Sequence, residues 1–282
     1  MESLRIDLPS RGGALHALAW GPADRPADIV FLHANGFNAL TYRTVLEPLG
    51  AGLRVVAFDQ RGHGLTSVPA VREGRGDWTD LRDDLLAALA VLGLKNAVLS
   101  GHSMGGTVSV LAAALEPRIA RSLVLFDPVI IRGPRDAGTP HSPMVTAASR
   151  RRAVFDSRAQ AFASYHGRGA FRTWPDAMLT DYLTDGLRDL PGGQVTLTCS
   201  PAWEASGYSA HGHDSVGAID ALRCPARVLK AEENSTCQLQ AADLASAAGS
   251  NLEVVPGTTH FLPMERPEIV RRALSEAVAA RA

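Results

Sequence analysis

The chain predicts an α/β fold: a mostly parallel sheet covered by helices on both faces, with a helical segment inserted late. Three observations carry this reading. Short continuous apolar runs alternate with stretches of helical spacing, as strands buried on both faces do. One such run passes through a glycine-bounded turn straight into a helix of small residues. The alternation stops at Asp127-Pro128 and resumes near Ala226.

Ile29–Leu32 and Val55–Phe58 are the first two apolar runs. A helix is expected over Trp78–Leu92, where Leu81, Leu85, Leu86, Leu89 and Leu92 share one face at spacings of three and four. Gly93 stops it. Ala97–Ser100 and Leu123–Phe126 give two more buried strands, with a helix between them. From Pro128 to Leu222 the chain is rich in Arg, Gly, Pro and aromatics, among them Tyr165, Phe171, Trp174, Tyr182, Trp203 and Tyr208. Helices are expected there at about Ser149–Tyr165 and Asp176–Leu187, and no strong apolar strand. Ala226–Lys230 and Leu252–Val255 resume the strand pattern, and Pro267 opens a final helix. The expected organisation is a core of residues 1–127 and 223–282, interrupted after the Leu123–Phe126 strand by a mostly helical lid, 128–222.

The bulk numbers exclude several classes. A chain of 282 residues suffices for one large domain or two small ones. The 46% hydrophobic and 20% charged fractions are those of an ordinary globular protein. A net charge of −1 gives no pull toward nucleic acid or an anionic membrane surface. Cys199, Cys224 and Cys237 are an odd count without metal-like spacing, read as reduced thiols. The start of the chain lacks a basic segment followed by an apolar run, and no stretch of about 18 apolar residues exists. A cytoplasmic protein with a small-molecule partner is expected. His141, His166, His211 and His213 fall in the insertion. His211-Gly212-His213 has only Asp214 near it, too few ligands for a metal site, so neither metal nor cofactor is expected.

The chemistry centres on Gly101-His102-Ser103-Met104-Gly105. A serine on a tight strand-to-helix turn is pushed out of the fold, with a helix N-terminus behind it. A Cβ on either flanking glycine would meet the neighbouring strand and helix. A lone hydroxyl is a poor nucleophile and needs a base, which in turn needs an acid to fix its tautomer. His260 is the base candidate. It sits just past the last strand, at the carboxyl edge of the sheet, where ligands bind in open α/β sheets.

Gly101-x-Ser103-x-Gly105, Asp59-x-Arg61-Gly62-His63-Gly64 and Gly257-x-x-His260, in this order and spacing, resemble the α/β-hydrolase fold family over roughly residues 15–280, less the insertion. The resemblance implies a helical cap inserted after the sixth strand, a Ser-acid-His order and an oxyanion hole of two backbone N–H groups. Met104 supplies one. The loop His33-Ala34-Asn35-Gly36-Phe37 supplies the other, with Asn35 the first choice and Gly36 and Phe37 the alternatives. Ala34 stands where the family usually has glycine. The family's usual acid follows the strand Ala226–Lys230 as Gly-x-x-Asp. This chain has Ala231-Glu232-Glu233-Asn234-Ser235, and Asn234 is no carboxylate. Asp127, after the preceding core strand, is the first choice of acid, with Glu233 and Glu232 as alternatives; Asp127 also reads as a plain cap on the turn into Pro128.

His102 reads as packing or pocket lining and not as a base. His33 is expected to order the oxyanion loop, and Arg61 and His63 to be structural. Phe37, His102, Trp174 and Phe261 are the candidate substrate contacts. A serine at the elbow argues against epoxide hydrolases and haloalkane dehalogenases, relatives that need an aspartate there. The implied activity is hydrolysis of a small-to-medium apolar ester or lactone through an acyl-enzyme. Carbon–carbon bond hydrolysis or perhydrolase chemistry with the same residues is an alternative, as is a non-enzymatic small-molecule receptor.

Overall fold

A computed structural model describes residues 1–132 and 142–280. Eight strands form the main sheet: β1 (Glu2–Leu8), β2 (Gly13–Trp20), β3 (Ile29–Leu32), β4 (Val55–Asp59), β5 (Ala97–His102), β6 (Ala120–Phe126), β7 (Ala226–Ala231) and β8 (Asn251–Val255). Their spatial order is β1-β2-β4-β3-β5-β6-β7-β8. The β1–β2 and β2–β4 pairs are antiparallel; all the others are parallel. The six strands from β3 to β8 are the apolar runs of the sequence. The N-terminal hairpin is not among those runs, and it makes β6 the sixth strand, after which the insertion begins.

Successive residues of a strand face opposite sides of a sheet, and β3 shows the consequence. Val30 and Leu32 join a core layer with Leu81, Leu85 and Leu89 of the helix Thr79–Val91 and Val108 and Ala112 of the helix Met104–Leu115. Ile29 and Phe31 join the opposite layer, under Val270, Ala273 and Leu274 of the helix Pro267–Ala279. Leu92, expected on the buried face of its helix, is instead 36% exposed, because it caps the last turn before Gly93 at positive φ.

The segment after β6 is not purely helical. The helices Pro143–Ser149, Arg158–Tyr165, Asp176–Gly186 and Pro201–Ser209 surround a three-stranded antiparallel sheet of Val154–Phe155, Val195–Leu197 and Leu187–Asp189. Of the single helix expected over Ser149–Tyr165, only Arg158–Tyr165 is helical; the span before it holds the short strand Val154–Phe155, and the helix Pro143–Ser149 ends where the expected one begins. Ser157 starts the helix Arg158–Tyr165 by accepting a hydrogen bond from Gln160 N–H. A further helix, Ser215–Asp220, packs Ile219 into the layer beneath the helix Met104–Leu115, so core packing resumes ahead of the expected boundary at Leu222. Among the described residues no helix is long and apolar enough to cross a membrane.

Candidate active site

Three strand ends bring three side chains to one edge. Ser103 follows β5 directly, Asp127 follows β6 directly, and His260 lies five residues past β8. Ser103 N–H donates to the Phe126 carbonyl at 3.0 Å, which ties the first two ends together.

Ser103 has φ 55° and ψ −121°, a conformation rare for a residue with a Cβ. Strain of this kind costs about 1–3 kcal/mol, and the neighbours enforce it. A Cβ on Gly105 would stand 2.3 Å from the Leu32 carbonyl oxygen, and one on Gly101 would stand 2.4 Å from the Gly105 carbonyl carbon. Only with glycine at both positions do the elbow helix and β3 come this close.

His260 Nε2 is 3.0 Å from Ser103 Oγ, and His260 Nδ1 is 2.6 Å from Asp127 Oδ2. An ionised carboxylate only accepts, so Nδ1 carries the proton and Nε2 is free to accept from the Ser103 hydroxyl. Asp127 is fully buried. Its Oδ1 accepts from Ala231 N–H at 2.9 Å and Ser235 O–H at 2.5 Å, and its Oδ2 also accepts from Thr236 N–H at 3.0 Å. Burial alone would raise the Asp127 pKa; the bonds from His260, Ser235 and Ala231 outweigh it and hold the carboxyl below its ordinary value.

Neither alternative acid reaches this arrangement. Glu232 is exposed and accepts from Gly257 N–H at 2.8 Å, and Glu233 is exposed. The loop where the family usually keeps its acid instead supplies Ser235 and Thr236 as donors to Asp127. The sequence reading missed both residues. The signal was present: two hydroxyls directly after Asn234, at the position the family reserves for a carboxylate.

The loop after β3 sorts its own donors. Ala34 N–H donates to the Tyr42 hydroxyl at 3.1 Å, Gly36 N–H to His63 Nε2 at 3.0 Å, and Phe37 N–H to the Ala34 carbonyl at 3.1 Å. Gly36 and Phe37 are thereby engaged, which removes them as oxyanion donors. Among the described residues no partner is found for Asn35 N–H. Met104 N–H, in the first turn of its helix, has no carbonyl within the helix to bond. His33 does order the loop: Nδ1–H donates to the Ala34 carbonyl and Nε2 accepts from Gln60 N–H. His63 does the same work, accepting from Gly36 and donating Nδ1–H to the Arg61 carbonyl. Arg61 pairs with the buried Asp84.

A cavity of about 250 Å³ opens on Ser103. Asn35, Met104, Thr236 and His260 lie around the serine; Ala34, Phe37, Trp78, Val129, Ile131, Met144, Tyr208 and Phe261 make apolar walls; His211 and Gln238 complete it. No charged Asp, Glu, Lys or Arg is among the described lining residues. A larger open depression, about 340 Å³, lies against Arg121, Arg227 and the helix end at Ala280, at the amino ends of the strands and so at the opposite edge from Ser103.

Of the four expected substrate contacts, Phe37 and Phe261 line the cavity. Trp174 does not: it is buried behind them, edge-on to Phe37 at 5.1 Å and to Phe261 at 6.1 Å. His102 does not either. As the strand residue before Ser103 it turns to the opposite side and is fully buried. His211 and His213 pack on the Trp78 ring at 5.0 and 4.6 Å. His141 lies outside the described residues. Among the described residues no three His, Cys, Asp or Glu side chains gather as a metal site would need.

A model of the Alpha/beta hydrolase family matches residues 29–273. The 2-(acetamidomethylene)succinate hydrolase of Mesorhizobium japonicum is 28% identical over 251 residues, covering 88% of this chain and 86% of its own. A crystal structure of E-2-(acetamidomethylene)succinate hydrolase matches with a TM-score of 0.78 at 26% identity, over 99% of both chains. A thioesterase domain from the curacin biosynthetic pathway shares the fold at a TM-score of 0.76 and 18% identity, over 98% of this chain and 99% of its own. Matched along most of its length, the chain belongs to the alpha/beta hydrolase family.

Proposed function

We propose that this hydrolase cleaves a small-to-medium, uncharged carboxylic ester or lactone through an acyl-enzyme on Ser103. The observation that carries the reading is the hydrogen-bonded line Ser103–His260–Asp127 opening into a cavity with apolar walls and no charged lining residue among those described. His260 takes the serine proton as Oγ attacks the carbonyl, then returns it to the leaving alcohol. Asp127 holds the imidazole in the Nδ1–H tautomer and stabilises the cation that forms. The Asn35 and Met104 N–H groups receive the oxyanion, each worth about 2.7–4 kcal/mol in the transition state. Water, with His260 as base, then releases the acid. The same reading makes the protein cytoplasmic, a setting that suits its three free thiols.

The named relative argues for a second substrate, since a succinate is a dicarboxylate. The described lining residues, none of them Asp, Glu, Lys or Arg, favour the uncharged ester: a carboxylate buried without a cation is costly. The test is a chain-length panel of chromogenic esters and lactones, with 2-(acetamidomethylene)succinate as one member. The panel is run on wild type and Ser103→Ala, with a fluorophosphonate probe read by mass spectrometry. Turnover of neutral esters or lactones to acid plus alcohol is expected, together with a Ser103 adduct and loss of both in Ser103→Ala. Turnover of the dicarboxylate alone would replace the ester reading, and an unlabelled Ser103 would remove the nucleophile.

A further inference from the structure

His102 is the second residue of the elbow motif, and no step of the proposed reaction uses it. Its Nε2 lies 2.7 Å from the His260 carbonyl oxygen, and its Nδ1 lies 2.7 Å from the Tyr42 hydroxyl. Tyr42 is fully buried as well, with its hydroxyl 3.1 Å from Ala34 N. The fixed donors and acceptors determine every proton. Ala34 N–H can only donate, so the Tyr42 oxygen accepts it. The His260 carbonyl can only accept, so His102 carries its proton on Nε2. Nδ1 is then an acceptor and takes the Tyr42 proton. Burial, helped by the nearby His260, pushes His102 down to about 3, and burial raises the Tyr42 phenol, so both groups are neutral at ordinary pH.

We propose that Tyr42 and His102 act as one positioning unit that ties the oxyanion loop at Ala34 to the backbone of the base at His260. The inference rests on the roles given above to Asn35 and His260. Asn35 N–H belongs to the peptide after Ala34, and the His260 imidazole hangs from the residue whose carbonyl His102 holds. The loop's other ties run elsewhere, through His33 and His63 to the loop after β4 and through the Asn35 side-chain amide to the Glu204 carbonyl at 2.9 Å; this one runs to the base. An error of about 1 Å between such groups costs on the order of 10²-fold in rate. Tyr42 also packs its ring on Phe31 at 4.7 Å, a contact that Tyr42→Phe preserves while removing the bridge.

The test compares Tyr42→Phe, His102→Leu, the double variant and His102→Gln, using an ester or lactone that wild type turns over. Each of the first two is expected to lower kcat by about 10- to 100-fold with KM within about threefold, the signature of a defect in the transition state. The double variant is expected to be no worse than the poorer single one, because both break the same chain of bonds. His102→Gln, whose amide can donate to the His260 carbonyl and accept from Tyr42, should recover most of the rate. In wild type, the ¹⁵N shifts of His102 should report a neutral Nε2–H ring at every pH between about 5 and 8, a window well above its pKa. Additive losses, a Tyr42→Phe kcat equal to wild type, or a His102 that titrates in that window would each overturn the bridge. If His102→Leu fails to fold, Tyr42→Phe, His102→Gln and the wild-type shifts decide it. A wild-type Ser103 that takes no fluorophosphonate would instead overturn the functional reading, whereas additive losses with labelling intact would overturn the bridge alone.

Discussion

At the scale of single residues, Asp127 is the most constrained group. Its φ of 43° is left-handed, a region asparagine and aspartate tolerate better than most residues. The backbone of Asp127→Asn can therefore stay where it is, while its side chain has no good orientation. If the amide nitrogen faces His260, Nδ1 must accept, and the imidazole takes the wrong tautomer to receive the serine proton. If the oxygen faces His260, the amide nitrogen opposes the Ala231 N–H, which only donates. Asp127→Asn should lower kcat by about 10⁴-fold, the size of loss that a wrong tautomer brings. Glu233→Gln, altering an exposed side chain, should leave it unchanged. Steady-state kinetics on both variants checks the pair; a near-wild-type Asp127→Asn would return the acid to the loop after β7. Ser235→Ala removes one of two donors to Oδ1. A hydrogen bond to a charged group is worth about 1.5–3 kcal/mol, and with the Ala231 N–H retained the loss should stay near the lower figure, roughly tenfold in kcat/KM.

At the scale of elements, the elbow shows how packing of a strand on a helix places a reactive atom. Gly105→Ala would set a Cβ 2.3 Å from the Leu32 carbonyl and 2.6 Å from that of His33. Both are backbone atoms, at the end of β3 and the start of the oxyanion loop. Overpacking of this kind costs about 1–3 kcal/mol, so urea denaturation should show a loss of that size. Activity should fall further than stability, because β3 must move to make room. Strands β3 to β6 were legible because burial on both faces leaves an unbroken apolar run; β7 and the edge strand β8, with Arg227, Lys230 and Glu253 among their residues, carry shorter apolar stretches. The hairpin β1–β2 was harder: Leu4, Ile6 and Leu8 alternate with Ser3, Arg5 and Asp7, a period of two over too few residues to separate from chance. The cap strands are two or three residues long, too short to carry any period. The cap helices did have a legible signal in Ser142-Pro143 and Ser200-Pro201. In both, the serine side chain caps the helix and the proline opens its first turn. Ser103 and His260 were legible because short loop motifs fix them. Tyr42, Ser235 and the cavity walls beyond Phe37 and Phe261 were not, because they act through contacts between segments far apart in the chain.

At the scale of the whole molecule, the site stands on buried histidines held neutral. His63 and His102 are pushed well down by burial and by neighbouring histidines, and His33 is lowered by burial. Each spends both ring nitrogens on hydrogen-bond partners, so protonation would set His63 against Gly36 N–H and His33 against Gln60 N–H, and at His102 would strip the Tyr42 proton of its acceptor. The unfolded chain takes up these protons below about pH 6.5 and the native fold does not, so stability must fall on acidification from that point toward the native pKa values. For His102, with a native value near 3, the loss between pH 7 and pH 5 is about 2 kcal/mol at 1.36 kcal/mol per unit. His63 and His33 add to it. His16 offsets part of the fall: Asp59 raises its pKa against the opposing effect of burial, so its stabilising contribution is complete below the unfolded value and declines as pH rises through the native one. The Asp127 contribution, from a lowered carboxyl, goes later, as pH drops through its native value. Urea denaturation measured at pH 7 and pH 5 should therefore show the acid sample the weaker, with His102 alone accounting for about 2 kcal/mol. His102→Gln has no proton to gain and should flatten the difference by about 2 kcal/mol. An equal slope in that variant would mean that His102 is not the neutral, enclosed ring on which the tie between the oxyanion loop and the base depends.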